Sequence, residues 1–362
     1  MADVTRERVE AALQSYVEPY SGRDLVSAGA VRALDVAGDR VHLAVELGFP
    51  AARYRDILAV ELGRHLQREA GVAAADIDIG WNIAVHAVQR NLRPMANVRN
   101  IVAVASGKGG VGKSTVAANL ALALAAEGAR VGVLDADIYG PSQPRMLGIS
   151  GRPVSRDGKR IEPLANHGIV CMSIGFLIDE DQPMVWRGPM VTQALTQLLG
   201  DTDWPELDYL VVDMPPGTGD TQLTLAQRVP VSGAVIVTTP QDIALLDARK
   251  GLQMFRKVEV AVLGIVENMS TYVCAHCGHE EHIFGAEGGR RLAEQYGVPF
   301  LGALPLDRRI REQADGGRPT VVAEPDGPLA RAYFEVARRT AAGLARAARD
   351  DGAKFPKIVI EE

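Results

Sequence analysis

The chain has 362 residues, 47% hydrophobic and 23% charged, with a formal net charge of -6. That length suggests two domains with a sizeable core, and the acidic balance argues against broad, non-specific binding of nucleic acid. No run of roughly 18 apolar residues occurs, and the N-terminal stretch MADVTRERVEAALQ is charged and amphipathic without a signal-peptide core, so no membrane span is expected and a cytoplasmic location is inferred.

In chain order, residues 1–86 read as a small α+β domain. Helical spacing puts Val9, Leu13 and Val17 on one face of a helix over 5–17. Alternation of Val41, Leu43, Val45 and Leu47 with His42, Ala44 and Glu46 predicts a half-buried strand over 41–47. A second helix is expected over 51–69 and a second strand over 76–85. Residues 87–99 hold a proline and no periodicity, and are read as a linker.

From residue 100 to 350 the pattern changes. Apolar runs recur at 101–105, 131–134, 209–213, 233–239 and 262–266, each followed by turn residues and a helix-compatible stretch. Such runs predict an α/β fold with a mostly parallel sheet covered on both faces, where ligands bind beyond the carboxyl ends of the strands. Cys171, within IVCMSIGF, reads as a buried small hydrophobe. Leu329, Tyr333, Val336, Thr340 and Leu344 form a helical stripe over 328–347. A membrane-surface helix and a helix packed on the sheet both fit, and the Ala-rich stripe without large anchors favours packing. Residues 351–362 are a tail without a signal.

Gly107, Lys108, Gly109, Gly110, Val111, Gly112, Lys113 and Ser114 fit G-x-x-x-x-G-K-[ST] between a strand and a helix, with Thr115 following. Glycines let successive backbone N–H groups face one anion, and the helix N-terminus adds its positive end. ATP is the expected ligand: Lys113 reaches its β- and γ-phosphates and Ser114 ligates Mg²⁺. Asp213 closes an apolar strand at the Walker B position, where a carboxylate holds Mg²⁺ through its waters. The loop of Pro215, Pro216, Gly217, Thr218 and Gly219 after it reads as a switch that responds to the γ-phosphate. Asp135 and Asp137 follow the second strand, where a carboxylate orients water or senses the γ-phosphate, or else caps the next turn. Asn268 is a candidate for the adenine edge. Lys108 is either a solvated lysine or a mobile cation that stabilises charge in the transition state, within its own subunit or across a dimer.

The segment YVCAHCGHEEHIFG (272–285) places Cys274 and Cys277 two apart, near His276, His279 and His282. A redox dithiol lacks its usual thioredoxin-like context. A complete zinc site needs four ligands, which nine residues would cage tightly, and a plain structural loop leaves clustered thiols unexplained. Half a site, completed by the same loop of a second subunit, gives Cys₄ for a [4Fe–4S] cluster or zinc.

The motif KGGVGKS resembles the deviant Walker A sequence of the MinD, ParA and nitrogenase-iron-protein class. That resemblance implies that Lys108 reaches the nucleotide of the partner subunit. Together SGKGGVGKST, DADIYGPSQP, WRGPM, VVDMPPGTGD, VENMS and the CxxC resemble the Mrp/ApbC family of iron–sulfur cluster carrier ATPases over about residues 97–345. The resemblance implies a homodimer with weak ATPase activity, a labile [4Fe–4S] cluster on Cys274 and Cys277, and apoprotein recipients. IYGPS and MVWRGPM (184–190) separate it from MinD and ParA. A partitioning ATPase with structural zinc at the CxxC is the alternative. A nitrogenase-reductase-like electron donor fits less well, because such proteins draw their cysteines from separate loops. Residues 1–86 resemble the small iron–sulfur assembly domain fused ahead of such ATPases, but FPAARY (49–54) lacks the cysteine many relatives carry there.

Overall fold

The computed structural model describes residues 4–86, 89, 92–155, 158–178 and 188–354. The chain divides into two compact units, one of residues 4–85 with 126–128 and 341 onward, the other of 86–125 and 129–340.

The first unit contains α1 (Arg6–Ser15), the paired two-residue strands β1 (Val17–Glu18) and β2 (Arg23–Asp24), then β3 (Val31–Ala37), β4 (Arg40–Leu47), α2 (Arg55–Ala70) and β5 (Ala74–Trp81). β4 is the centre of a three-stranded sheet, antiparallel to β3 and parallel to β5. Its Val41, Leu43, Val45 and Leu47 are buried, as their alternation predicts. Leu58, Leu62, Leu66 and Ala70 of α2 form a buried stripe at i, i+4 spacing, and Gly71 (φ 76°) ends the helix in the left-handed conformation.

The first helix is shorter than its periodicity suggests. Val9 and Leu13 are buried, but α1 stops at Ser15, and Val17 lies in β1 at 60% exposure. Glu18, fully buried beside it, accepts from the N–H groups of Tyr20 (3.1 Å) and Ser21 (2.6 Å) and from Tyr54 Oη (3.0 Å), which pins the turn after β1. The strand expected over 76–85 runs instead over Ala74–Trp81, in register with all of β4. β3 had no clear sequence signal: only Leu34 is buried and a register shift breaks its alternation.

The second unit is built on β6 (Val98–Ala105), α3 (Lys113–Ala126), β7 (Val131–Asp135), α4 (Gln143–Met146), β8 (Leu164–Asn166), β9 (Ile169–Ser173), α5 (Gly188–Asp201), β10 (Leu207–Asp213), α6 (Asp220–Arg228), β11 (Gly233–Thr238), α7 (Asp242–Lys257), β12 (Val262–Glu267), the hairpin of β13 (Tyr272–Val273) and β14 (Glu280–Glu281), α8 (Gly288–Tyr296), β15 (Phe300–Ala303), α9 (Arg308–Asp315), α10 (Thr320–Ala323) and the part of α11 (Pro328–Lys354) up to 340. Its sheet has the order β15-β12-β11-β6-β10-β7-β9-β8, and every strand is parallel except the edge strand β8. The five apolar runs of the sequence are β6, β7, β10, β11 and β12, buried on both faces because helices cover both.

Cys171 in β9 is buried, and burial pushes its thiol well above the usual range. At the start of β10, Asp208 accepts from the backbone N–H of Arg130 (2.9 Å) and from its guanidinium (3.1 and 3.2 Å). Burial alone would raise this carboxyl. The Arg130 contacts, with Arg99 at 3.4 Å, hold it below the ordinary carboxylate range.

The expected linker is shorter than drawn, since β6 begins at Val98. Residues 87, 88, 90 and 91 of it lie outside the described residues, as do 184–187 of MVWRGPM and 355–362 of the tail. Leu329, Tyr333, Val336, Thr340 and Leu344 are buried, as a packed helix requires. Residues from 341 onward group with the first unit, whereas the sequence reading extended the second to 350. Among the described residues, no helix is long and apolar enough to cross a membrane.

Candidate functional site

The phosphate loop leaves the carboxyl end of β6 and enters α3 at Lys113. Gly110 (φ 81°) and Gly112 (φ 82°) are left-handed, a conformation that costs other residues energy and that anion-cradling loops use. Gly107 permits a close approach of α7: a Cβ there would lie 2.1 Å from the Asp247 carbonyl carbon. Lys108, half-buried, has its carbonyl bonded by Ser106 Oγ (2.9 Å), and its amine has no hydrogen bond or ion pair among the described residues. Val111 is buried and Gly109 exposed. The carbonyl of Thr115 accepts from Asn119 (3.0 Å), so this residue serves the helix.

Lys113, Ser114 and Asp213 converge at one point. Lys113, only 6% exposed, donates through Nζ to Asp213 and to Ser114 Oγ (3.1 Å). Asp213 is fully buried at the end of β10, between β6 and β7. Sequence reasoning missed Gln143, the first residue of α4. It is fully buried, and its Nε2 donates to Asp213 Oδ2 (2.9 Å) and to the Ser114 carbonyl (3.0 Å). Its only sequence signal is its place inside DADIYGPSQP.

Asp135 is committed elsewhere. Its Oδ2 accepts from the N–H groups of Ser142 (3.0 Å) and Gln143 (3.1 Å) and from Ser173 Oγ (3.0 Å), and its Oδ1 from the N–H of Asp137 (3.2 Å). Of the two readings the sequence left open, this geometry fits the cap: Asp135 holds the turn into α4. Burial, and then the charge of Asp213, push its carboxyl above the ordinary range. Asp137 is part-buried, and burial raises its carboxyl too, with Lys113 pulling it down and Asp213 pushing it up.

Asn268 likewise serves the loop. Its Nδ2 donates to the Val111 carbonyl (2.8 Å), and a Cβ on Gly112 would stand 2.2 Å from that nitrogen. One N–H of the Asn268 amide is thus bonded to loop backbone. In the switch segment, the Gly217 N–H donates to the Ser106 carbonyl (3.1 Å) and Gln222 Nε2 donates to the Pro216 carbonyl.

The cysteine pair sits at the tip of the β13–β14 hairpin. The Cys274 N–H donates to the His279 carbonyl, and the Gly278 N–H to the Cys274 carbonyl, both at 2.9 Å, with Gly278 left-handed (φ 70°). Backbone N–H groups of Cys277 and then His276 face the Cys274 thiol and hold it below the ordinary thiol range. Cys274 is half-buried and Cys277 exposed. His282 Nδ1 bonds the Ser270 carbonyl (2.9 Å), while His276 and His279 face solvent. Among the described residues, no group of three or more His, Cys, Asp or Glu is placed to hold a metal ion. The hairpin thus supplies two thiols. A groove of about 630 Å³, lined by Tyr272–His276 and Asp307–Arg309, opens beside them.

α7 links the two regions. Asp247 and Ala248 back Gly107, and Leu245 and Pro240 lie against Gly288, shortly after the hairpin. Ile243 and Leu246 of α7 are 68% and 51% exposed, and Ile283 beyond the hairpin is 49% exposed.

A glycine cradle at the carboxyl end of a parallel sheet, with Lys113, Ser114 and a buried strand-end carboxylate converging on it, defines a P-loop nucleotide-binding protein of the NTPase class. More narrowly, the chain belongs to the NUBPL iron-transfer P-loop NTPase family, whose profile matches residues 97–341. Residues 6–77 match the iron-sulfur cluster assembly protein family. Similar proteins include the iron-sulfur cluster carrier proteins of Pseudomonas fragi (62% identical, covering 76% of this chain and 96% of that one) and of Escherichia coli K12 (50% identical, 94% and 93%). The iron-sulfur cluster transfer protein NUBPL of Mus musculus is 56% identical over 68% of this chain and 77% of its own length. Among solved structures, a nucleotide-binding protein of Archaeoglobus fulgidus in complex with ADP is 39% identical, with a TM-score of 0.57 over 66% of this chain and 93% of that one. MinD of Pyrococcus furiosus shares the fold at 24% identity and a TM-score of 0.52, over 66% of this chain and 97% of its own.

Proposed function

We propose that the protein is a homodimeric carrier that holds a labile [4Fe–4S] cluster between the Cys274–Cys277 hairpins of two copies and passes it to apoproteins in the cytoplasm. The observation that carries this reading is the hairpin itself. It presents two thiols, with the N–H groups of Cys277 and His276 turned toward Cys274, and no third ligand among the described residues. A cluster of this type takes four thiolates, which two hairpins related by a two-fold axis provide. The exposed apolar residues Ile243, Leu246 and Ile283 suit a face that a second copy covers.

Lys113 neutralises Asp213. Phosphate oxygens entering the cradle compete for Lys113 and release Asp213. The freed carboxylate and the Ser114 hydroxyl are hard oxygen donors suited to Mg²⁺, which when bound neutralises phosphate charge. Lys108 is the cation that reaches across to the partner's nucleotide, and part-buried Asp137 orients the attacking water. Slow ATP hydrolysis then alters dimer geometry and with it the grip on the cluster. The first unit has no cysteine, since all three lie at 171, 274 and 277, so its part is docking rather than cluster ligation.

The test is anaerobic reconstitution followed by iron and acid-labile sulfide analysis. The reading predicts about four irons and four sulfides per two chains. Zinc without sulfide would support instead a regulatory ATPase with a structural metal.

A further inference from the structure

Two buried oxygens on one turn beside Asp213 lack a partner: Ser142 Oγ and Gln143 Oε1 have none among the described residues. An unpaired buried acceptor is costly, and the exceptions call for an explanation. Rotating the Gln143 amide does not remove this one. Nε2 faces the Asp213 carboxylate and the Ser114 carbonyl, both acceptors, so exchanging the two ends would set oxygen against oxygen at about 3 Å. The orientation is therefore fixed by its neighbours, and Oε1 is left as an acceptor with nothing to accept from.

We propose that Gln143 is a positioning residue for the hydrated divalent cation that accompanies the nucleotide. Its Nε2 holds the carboxylate of Asp213 and the backbone of Ser114 in fixed relation. Its Oε1 accepts a hydrogen bond from a water in the cation's coordination shell. A cation of the magnesium type keeps several waters in protein sites, and each needs an acceptor. Gln143 is delivered there by Asp135, whose Oδ2 accepts from the N–H groups of both Ser142 and Gln143. This gives buried Asp135 a purpose without direct contact with nucleotide: it anchors the turn that carries the amide. The inference rests on the assignment of the loop to a nucleotide with Mg²⁺.

The test is calorimetric titration of ADP into the full-length protein, with Mg²⁺ and with EDTA, for wild type and Gln143→Met, which keeps the bulk and removes both donor and acceptor. Loss of a hydrogen bond to a cation-polarised water predicts that the Mg²⁺-dependent part of ADP affinity falls about tenfold in Gln143→Met. The quantity read is the ratio of ADP affinity with Mg²⁺ to that in EDTA for each protein, so any loss common to both conditions from the missing Ser114 and Asp213 bonds cancels. If Gln143→Met fails to fold, Gln143→Asn keeps the amide but withdraws it by one methylene, and the same split is expected. Equal weakening with and without Mg²⁺ would show a purely structural role and overturn the proposal, as would no weakening at all. Failure of the wild type to bind ADP would instead overturn the loop assignment beneath it.

Discussion

At the phosphate loop Lys113 is 6% exposed, Asp213 is fully buried, and Gln143 and Ser114 tie them into one bonded unit. At the hairpin, Cys277 is exposed, Cys274 is half-buried, and His276 and His279 face solvent. The loop answers its own charges with partners from the same chain. The hairpin brings two thiols, and in the proposed function its remaining ligands come from a second copy. A nucleotide site must be pre-organised to bind phosphate tightly, whereas a delivery site must let go of its cargo, and exposure with incomplete ligation serves release.

Several substitutions would break or sharpen that contrast. The largest effect is expected at the hairpin: Cys274→Ala or Cys277→Ala should abolish iron and sulfide retention after anaerobic reconstitution. ADP affinity of either variant, measured without cluster, should stay within about twofold of wild type, since neither thiol bonds a phosphate-loop residue among the described residues. Next is Lys113→Ala, which strands the buried Asp213 charge. Urea denaturation without nucleotide should show a loss of about 3–5 kcal/mol, and an unchanged midpoint would mean that the ion pair holds nothing together. Asn268→Ala leaves the Val111 carbonyl unpaired and should cost about 1–3 kcal/mol in the same measurement, while cluster loading stays intact.

The smallest effect lies in the scaffold both sites share, at Asp208. Its carboxyl is held below the unfolded value, so its contribution is present above pH of about 4 and is lost as pH falls through the lower folded value. Because Arg130 is half-exposed and screened by solvent, Asp208→Asn should cost only about 1 kcal/mol at pH 7. Stability curves of variant and wild type should converge in acid, and a gap that widened there would contradict the assigned ion pair.

The central strands and the phosphate loop were legible because their information is local: an apolar run ends in glycines, a lysine and a helix. Asp213 was legible for the same reason, as the last residue of such a run. Gln143 was not, because its partners lie 29 and 70 positions away and only the turn held by Asp135 brings it between them. Asn268 was legible as a position, while its bond to the Val111 carbonyl, 157 positions away, was not. The edge strands β8 and β15 and the bulged β3 are short or broken in pattern, and each is held by pairing with a longer neighbour. The two-thiol character of the CxxC was readable from its spacing, while the direction of the surrounding N–H groups needed the hairpin.

The most direct test of the central claim, that two copies each lend a thiol pair to one cluster, is native mass spectrometry of the anaerobically loaded protein. The account predicts a species of two chains carrying the mass of one [4Fe–4S] cluster, absent from Cys274→Ala. A cluster retained on a single chain, or a metal bound once per chain without sulfide, would contradict it.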